Sequence, residues 1–205
     1  KMNKISCLKL LLVAAFSASL MVLLNYSATH AAEPKLDRPL SLEKVKSVAN
    51  FSFPSIDGGD LDLSAYQGKV LVIVNTASQC GFTGQYDDLQ AIWETYQDRG
   101  LVVIGVPSND FGGQEPGGKE DIKNFCSVNF NVDFPMTDKV VVKGDQAHPF
   151  YQYAKTTLGS AAAPRWNFHK YIVDRDGRLV DWFSSMTNPS SKKMRSVIEE
   201  LLAAE

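Results

Sequence analysis

The chain has 205 residues, and its 21 basic and 23 acidic side chains leave a formal net charge of −2. No basic stripe interrupts this balance, which argues against nucleic acid as a partner. The three histidines, His30, His148 and His169, have no metal-ligand spacing with the cysteines, so we expect neither a metal nor another cofactor.

The first 31 residues have the layout of a secretory signal peptide. Basic residues come first, an apolar run follows at positions 10–24, and small residues surround Ala31. Because this run is short for a membrane span of about 20 residues, we expect cleavage after Ala31, or alternatively after Ala32. The product would be exported to the periplasm or the extracellular space; the alternative is an uncleaved membrane anchor. Residues 32–47 predict a linker or weakly ordered arm, and residues 48–205 suit one domain.

The first half of this domain predicts a hairpin followed by a β–α–β unit. Residues 51–53 and 61–63 flank an Asp-Gly-Gly turn, and Asp-Gly supplies the left-handed conformations that a tight turn needs. Residues 70–74 form an apolar run typical of a buried strand in a parallel sheet. Apolar side chains recur at helical spacing over 86–97, Gly100 ends this helix, and a second apolar strand follows at 101–106. We expect a right-handed connection between the two strands.

The second half begins with a Gly-rich loop at 112–118, which lacks the Gly-Lys-Ser/Thr ending of a phosphate loop. Helices are predicted at 119–128 and from Pro149 through Ala154. Residues 168–173 and 179–183 predict a second hairpin, and a closing amphipathic helix spans 194–202 with Ser190 or Ser191 as its cap. This order predicts an α/β thioredoxin-like fold, with a central mixed sheet flanked by helices on both faces.

Cys80 lies where the strand at 70–74 gives way to the helix at 86–97. Free backbone N–H groups and the positive helix end favour a thiolate there, and the thiolate is the reactive form. The alternative is a buried structural cysteine, although the flanking Ser, Gln, Gly and Thr are poor core formers. A dithiol oxidoreductase would carry a second cysteine where this chain has Thr83. A lone thiolate suits attack on a peroxide O–O bond, which yields a sulfenic acid.

Four segments resemble the glutathione peroxidase family and follow its order: residues 68–83, 104–111, 112–116 and 165–168. The resemblance extends from about Phe51 to Leu202 and implies an enzyme, a thiol-dependent peroxidase that reduces hydrogen peroxide and organic or lipid hydroperoxides. It also implies a catalytic tetrad of Cys80, Gln114, Trp166 and Asn167. Amide and indole N–H groups can stabilise a thiolate and hold a peroxide oxygen while charge develops on the leaving hydroxide.

Cys126 resembles the resolving cysteine of the two-cysteine, thioredoxin-dependent members of this family. By this resemblance it would form an intramolecular disulfide with Cys80, which a thioredoxin-like protein, or alternatively glutathione, would reduce. The residues alone leave open a buried helix cysteine, since Ile122 shares its face, and a structural disulfide between the two cysteines. If Cys126 is helical, we expect it to reach Cys80 only when the helix loosens.

Three positions depart from the family's pattern, which often has Phe, Cys and Gln where this chain has Val106, Ser108 and Asp110. The tetrad is intact, so we still expect an active enzyme. The link at 157–165 is short, whereas tetrameric members have a longer insertion there, which favours a monomer. Two other classes stay open: a thioredoxin-like disulfide reductase or electron-transfer protein, and a non-catalytic redox-sensing module.

Overall fold

A computed structural model describes residues 46–204. The predicted signal peptide at 1–31, and the predicted arm at 32–47 except for its last two residues, lie outside this part of the chain. Within residues 46–204, no helix is long and apolar enough to cross a membrane.

The domain opens with a small antiparallel hairpin made of β1 (Ser52–Pro54) and β2 (Asp60–Asp62). Gly58 and Gly59 have positive φ angles of 92° and 71°, so the turn uses the left-handed conformations that the Asp-Gly-Gly sequence predicted. The hairpin presents Phe53 and Leu61 to the core, where both side chains are buried.

A four-stranded mixed sheet forms the centre of the fold. Its two longest strands are β3 (Val70–Thr76) and β4 (Leu101–Pro107), which are parallel and buried at every residue, as their apolar runs predicted. β5 (Lys170–Val173) pairs antiparallel with β3, and β6 (Leu179–Phe183) pairs antiparallel with β5. The spatial order is therefore β4-β3-β5-β6.

Helices cover both faces of this sheet, which confirms the predicted layering. α1 (Gln85–Tyr96), α2 (Lys119–Phe130) and α4 (Lys192–Ala203) contribute to one core cluster. α3 (Pro149–Leu158) packs with the hairpin into the other cluster. These two apolar layers bury the two alternating sets of side chains that β3 and β4 present.

The helix boundaries follow the local sequence signals closely. Pro149 stands at the first turn of α3, and the Ser191 side chain caps α4 by accepting the Met194 N–H at 3.4 Å. α3 is longer than predicted, since it continues to Leu158 before Gly159 breaks it. Gly100, at a φ of 101°, ends the short 3-10 turn that follows α1.

β5 begins at Lys170 rather than at Phe168, where the sequence predicted the strand to start. Phe168 has a φ of 61° and donates its backbone N–H to the Asn75 carbonyl oxygen at 2.6 Å, so it cannot join the ladder. β5 runs antiparallel to its neighbour, and its first residue therefore lies at the edge where β3 and β4 end. The loops after β3 and β4 and before β5 consequently meet at one edge of the sheet.

Candidate active site

Cys80 lies in the turn between β3 and α1 and is 5% exposed. The Thr83 N–H donates to its carbonyl oxygen at 3.1 Å, and the Phe82 N–H donates to its Sγ at 3.5 Å. Further turn hydrogen bonds, from Gln85 to Phe82 and from Tyr86 to Thr83, wind the chain into α1. The sulfur is thus held at the helix approach with a backbone N–H directed at it.

Gln114 lies against the Cys80 turn, and Asn167 lies against Gln114. The Gln79 N–H donates to the Gln114 carbonyl oxygen at 2.9 Å, which joins the Gly-rich loop to the residue just before Cys80. Asn167, fully buried, donates its side-chain N–H to Gln114 Oε1 at 2.9 Å. Because this bond occupies the oxygen of the Gln114 amide, its N–H₂ group is available as a donor.

Trp166 lies beside Gln114 at the rim of the same site, with 39% of its surface exposed. Gly112 lies next to both side chains, since a Cβ atom there would be 3.6 Å from Trp166 and 3.6 Å from Gln114. The Trp166 ring also contacts Phe111, with 6.0 Å between ring centroids. The structure therefore brings Gln114, Trp166 and Asn167 together next to the turn that carries Cys80.

Asn75 anchors the Trp166–Asn167 segment, although no motif in the sequence marked it as a site residue. Its side-chain N–H donates to the Trp166 carbonyl oxygen at 3.2 Å, and its own carbonyl accepts the Phe168 N–H. Phe168 is held in the left-handed region by this bond and by its burial against Tyr86, at 5.2 Å between ring centroids. A polar residue near the end of an apolar strand was the signal that could have identified Asn75.

Glu115 fastens the Gly-rich loop to the Cys80 turn and was also missed. Its buried carboxylate accepts the Ser78 N–H at 2.9 Å and the Ser78 hydroxyl at 3.1 Å. Its backbone is held by Asn109 at 2.8 Å and by Lys139 at 3.0 Å. Burial raises the pKa of Glu115, while the Ser78 hydrogen bonds and the Lys139 charge act in the opposite direction. Its place next to Gln114 in the sequence was the available signal.

The two polar departures from the family's pattern have structural partners. Asp110 accepts the backbone N–H groups of Val142 at 2.6 Å and of Lys143 at 3.2 Å. Ser108 is fully buried, and its hydroxyl accepts the Asp110 N–H at 3.3 Å. The Asp110 carboxylate thus holds the 142–143 segment by two hydrogen bonds, which gives the added negative charge a structural role.

Cys126 lies inside α2 and is 1% exposed. Burial raises its pKa to about 11; the Tyr86 hydroxyl acts in the opposite direction, and the Glu115 charge adds to the rise. Cys126 also borders a cleft of about 520 Å³ between α2 and the β1–β2 hairpin. Cys80 and Cys126 are both free thiols, which argues against a structural disulfide.

Fold and site together define a thioredoxin-like protein with one reactive-cysteine turn and Thr83 in place of a second cysteine. A family model described as glutathione peroxidase matches residues 48–155. The chain belongs to the glutathione peroxidase family, which confirms the resemblance found in its sequence, and it is a peroxidase of the oxidoreductase class.

Known proteins resemble the chain over most of the domain. A hydroperoxy fatty acid reductase of Synechocystis sp. is 44% identical over 164 residues, covering 76% of this chain and 96% of that protein. A probable phospholipid hydroperoxide glutathione peroxidase of Nicotiana sylvestris is 44% identical, covering 78% of this chain and 95% of that protein. The crystal structure of Trgpx in apo form superposes with a TM-score of 0.64 at 33% identity, covering 78% of this chain and 97% of that one.

Proposed function

We propose that this protein reduces hydroperoxides with Cys80 as the peroxidatic nucleophile, and that Gln114, Trp166 and Asn167 act on the reacting atoms. One observation carries the proposal: hydrogen bonds from Gln79 and from Asn167 both end on Gln114, directly beside the Cys80 turn. This arrangement supports a preorganised set of uncharged donors around the sulfur, which need no reorganisation as charge develops.

In the first step the Cys80 thiolate attacks the distal oxygen of the hydroperoxide. An S–O bond forms, the O–O bond breaks, and the leaving alkoxide or hydroxide takes up a proton to become an alcohol or water. Cys80 is oxidised to a sulfenic acid, and the peroxide is reduced by two electrons. The Gln114 and Trp166 N–H groups are suited to stabilise the leaving oxygen, while Asn167 orients Gln114.

In the second step the Cys126 thiolate attacks the Cys80 sulfenic acid. An S–S bond forms, the S–O bond breaks, and hydroxide leaves as water after taking up a proton. A buried thiol whose pKa is raised to about 11 is mostly protonated at neutral pH, so α2 must open before Cys126 can react. Ile122 and Cys126 are buried within this helix, and Phe125 and Phe130 pack partly buried against Tyr86, so opening must separate these side chains from the core.

The names of the relatives support the substrates that we assign, and the proposed disulfide indicates the electron donor. Relatives named for hydroperoxy fatty acids and for phospholipid hydroperoxides support organic and lipid hydroperoxides as substrates here, alongside hydrogen peroxide. An intramolecular disulfide calls for a dithiol donor, so a thioredoxin-like protein is the proposed reductant, with glutathione as the alternative.

The experiment is peroxide consumption by wild type and by Cys80→Ser, with thioredoxin, with glutathione, and without a thiol. Cys80→Ser should lower turnover on the order of a thousandfold or more, as removal of a nucleophile does. The variant should still fold, because the serine side chain is only slightly smaller than that of cysteine. Substantial turnover in this variant would overturn the assignment of Cys80. A wild type that reduces disulfides yet leaves peroxide untouched would favour the disulfide reductase.

Export and a monomeric state complete the proposal. The order of basic, apolar and small residues over 1–31 supports cleavage after Ala31 or Ala32, and mass spectrometry of the N-terminus from the native host tests it. An intact Lys-rich start in a membrane fraction would favour the anchor instead. The short link at 157–165 supports a monomer, which light scattering in solution tests; a tetramer would contradict it.

A further inference from the structure

Lys170 is a fully buried lysine whose partners are all uncharged. Its Nζ donates to the Gln85 side-chain oxygen, to the Thr187 carbonyl oxygen at 2.6 Å and to the Ser184 carbonyl oxygen at 3.5 Å. No salt bridge within residues 46–204 involves it. Since a lysine is almost never fully buried unless it is paired with an opposite charge, this position calls for an explanation.

Burial makes the ammonium form of Lys170 costly. Desolvation lowers its pKa to about 7, and the more distant Asp88 carboxylate only partly opposes the effect. The neighbouring His169 is also buried, with its pKa lowered to about 4, and it therefore adds no second positive charge at neutral pH. Packing alone would be served better by an apolar side chain of the same length.

The three acceptors of Lys170 lie at the start of α1 and in the loop between β6 and α4. Gln85 is the first residue of α1, the helix that the Cys80 turn leads into, and its side-chain N–H donates to the Ser185 carbonyl oxygen at 2.7 Å. Ser184 and Thr187 belong to the β6–α4 loop, defined as residues 184–191. Lys170 itself follows Asn167 closely in the sequence and pairs with Val74 of β3, just before Asn75.

We propose that Lys170 is a positioning residue for the peroxidase reaction: its ammonium group holds the start of α1 against the β6–α4 loop and so sets where Cys80 lies relative to Gln114 and Asn167. This inference rests on the function proposed above. It gives the buried lysine a purpose: with a pKa of about 7, about half of the molecules hold the ammonium form at neutral pH, and this form can donate to all three acceptors through charge-assisted hydrogen bonds. Reaction geometry is sensitive to such supports, since small displacements of a reacting group cost rate.

The test uses Lys170→Met, which keeps the length of the side chain and removes all three hydrogen bonds, and Gln85→Met, which removes the α1 end of the same contact. The measurement is single-turnover oxidation of Cys80 by hydrogen peroxide in a Cys126→Ser background. Lys170→Met should slow oxidation on the order of tenfold to a hundredfold. Gln85→Met should slow it less, and the double variant should be slower than Lys170→Met by less than the Gln85→Met effect alone, because both variants lose the Lys170–Gln85 bond and only Gln85→Met also loses the bond to Ser185.

A second readout separates positioning from plain stability. In the same background, Lys170→Met should slow alkylation of Cys80 by iodoacetamide much less than it slows oxidation, because alkylation needs no oriented donors, whereas peroxide reduction needs the Gln114 and Asn167 side chains in place. The control is Leu179→Ala at the far end of β6, a buried position whose loss destabilises the fold and should change neither the oxidation rate nor the alkylation rate.

The outcomes distinguish a failure of the proposed function from a failure of the role proposed for Lys170. Wild type that peroxide does not oxidise at Cys80 would overturn the proposed function. If wild type is oxidised, but both folded variants are oxidised at the wild-type rate, or lose as much alkylation rate as oxidation rate, the role of Lys170 is overturned. If Lys170→Met does not fold, Gln85→Met decides by the same two readouts.

Discussion

The two cysteines of the described domain differ in how the fold holds them. Both are buried, at 5% exposure for Cys80 and 1% for Cys126. Cys80 lies in a turn that hydrogen bonds from neighbouring loops hold at several points, whereas Cys126 lies inside a helix that buries only one other residue, Ile122. The kind of anchoring separates the two, since hydrogen bonds hold the Cys80 turn and apolar packing holds α2. Under the proposed mechanism Cys80 reacts where it lies, and Cys126 reacts after it moves.

The same contrast divides the chemistry of the two steps. The first step needs donors already in place when the peroxide arrives, and fixed loops provide them. The proposed second step needs a sulfur to travel, which requires α2 to give up the packing of Ile122, Phe125 and Phe130 for a time. Until the helix opens, a pKa of about 11 keeps Cys126 protonated and protects it from direct oxidation.

Cys126→Ser should have the largest effect of the variants that test this contrast. The first oxidation of Cys80 should proceed at the wild-type rate, but turnover supported by thioredoxin should stop because nothing intercepts the sulfenic acid. Under excess peroxide Cys80 should then advance to a sulfinic acid, which mass spectrometry detects. Cycling at wild-type speed in this variant would instead make an external thiol, such as glutathione, the resolving agent.

Gln114→Ala tests the fixed side of the comparison. Losing one preorganised donor should slow Cys80 oxidation about a hundredfold, as loss of an oxyanion-hole donor does. Gln152→Ala is the matched control, since its amide bonds the Asp145 and Ala147 carbonyl oxygens at the start of α3. Stopped-flow rates that are equal in the two variants would remove Gln114 from the reaction.

The pH dependence of stability tests the burial of His169, which directly precedes β5 beside the active site. Burial lowers its pKa from 6.5 to about 4, so between these values the unfolded chain binds a proton that the folded protein does not. Stability should therefore fall as the pH drops from 6.5 to 4, by roughly 3 kcal/mol in total. The raised pKa of Glu115 acts in the opposite direction, so urea unfolding of wild type is compared with His169→Gln at neutral and acid pH. An equal loss of stability in both proteins would contradict the assignment to His169.

Asp121→Ala tests the mobile side and should have the smallest effect. The Asp121 carboxylate accepts the Gly118 N–H at 3.0 Å at the start of α2. Losing this contact should cost about 1 kcal/mol of helix stability and make opening about fivefold more frequent. Disulfide formation after a single peroxide addition should speed up by the same factor. Asp176→Ala, which removes an exposed ion pair to Arg178 far from α2 in the sequence, is the control and should change little.

The sequence predicted those parts of the fold that depend on local pattern. The strands β3 and β4 follow from apolar runs, and the helix start at Pro149 and the cap at Ser191 follow from their residue types. The family motifs identified the four candidate catalytic residues, three of which the structure groups beside the Cys80 turn.

The supports of the site could not be predicted in this way. Asn75 reaches a partner 91 positions away, Glu115 one 37 positions away and Lys170 one 85 positions away. No periodicity encodes such contacts, because they arise only when separate loops meet at one edge of the sheet. The late start of β5 also depends on distant contacts, since Phe168 has a φ of 61° while it bonds to Asn75 and packs against Tyr86.

The most direct measurement of the central claim is non-reducing peptide mapping of wild type after one equivalent of hydrogen peroxide. The account predicts a peptide pair linked through Cys80 and Cys126, absent before peroxide is added and absent in Cys80→Ser. A Cys80 that is oxidised without this link, while thioredoxin-supported turnover continues, would contradict the claim that one cysteine is fixed to react and the other moves to meet it.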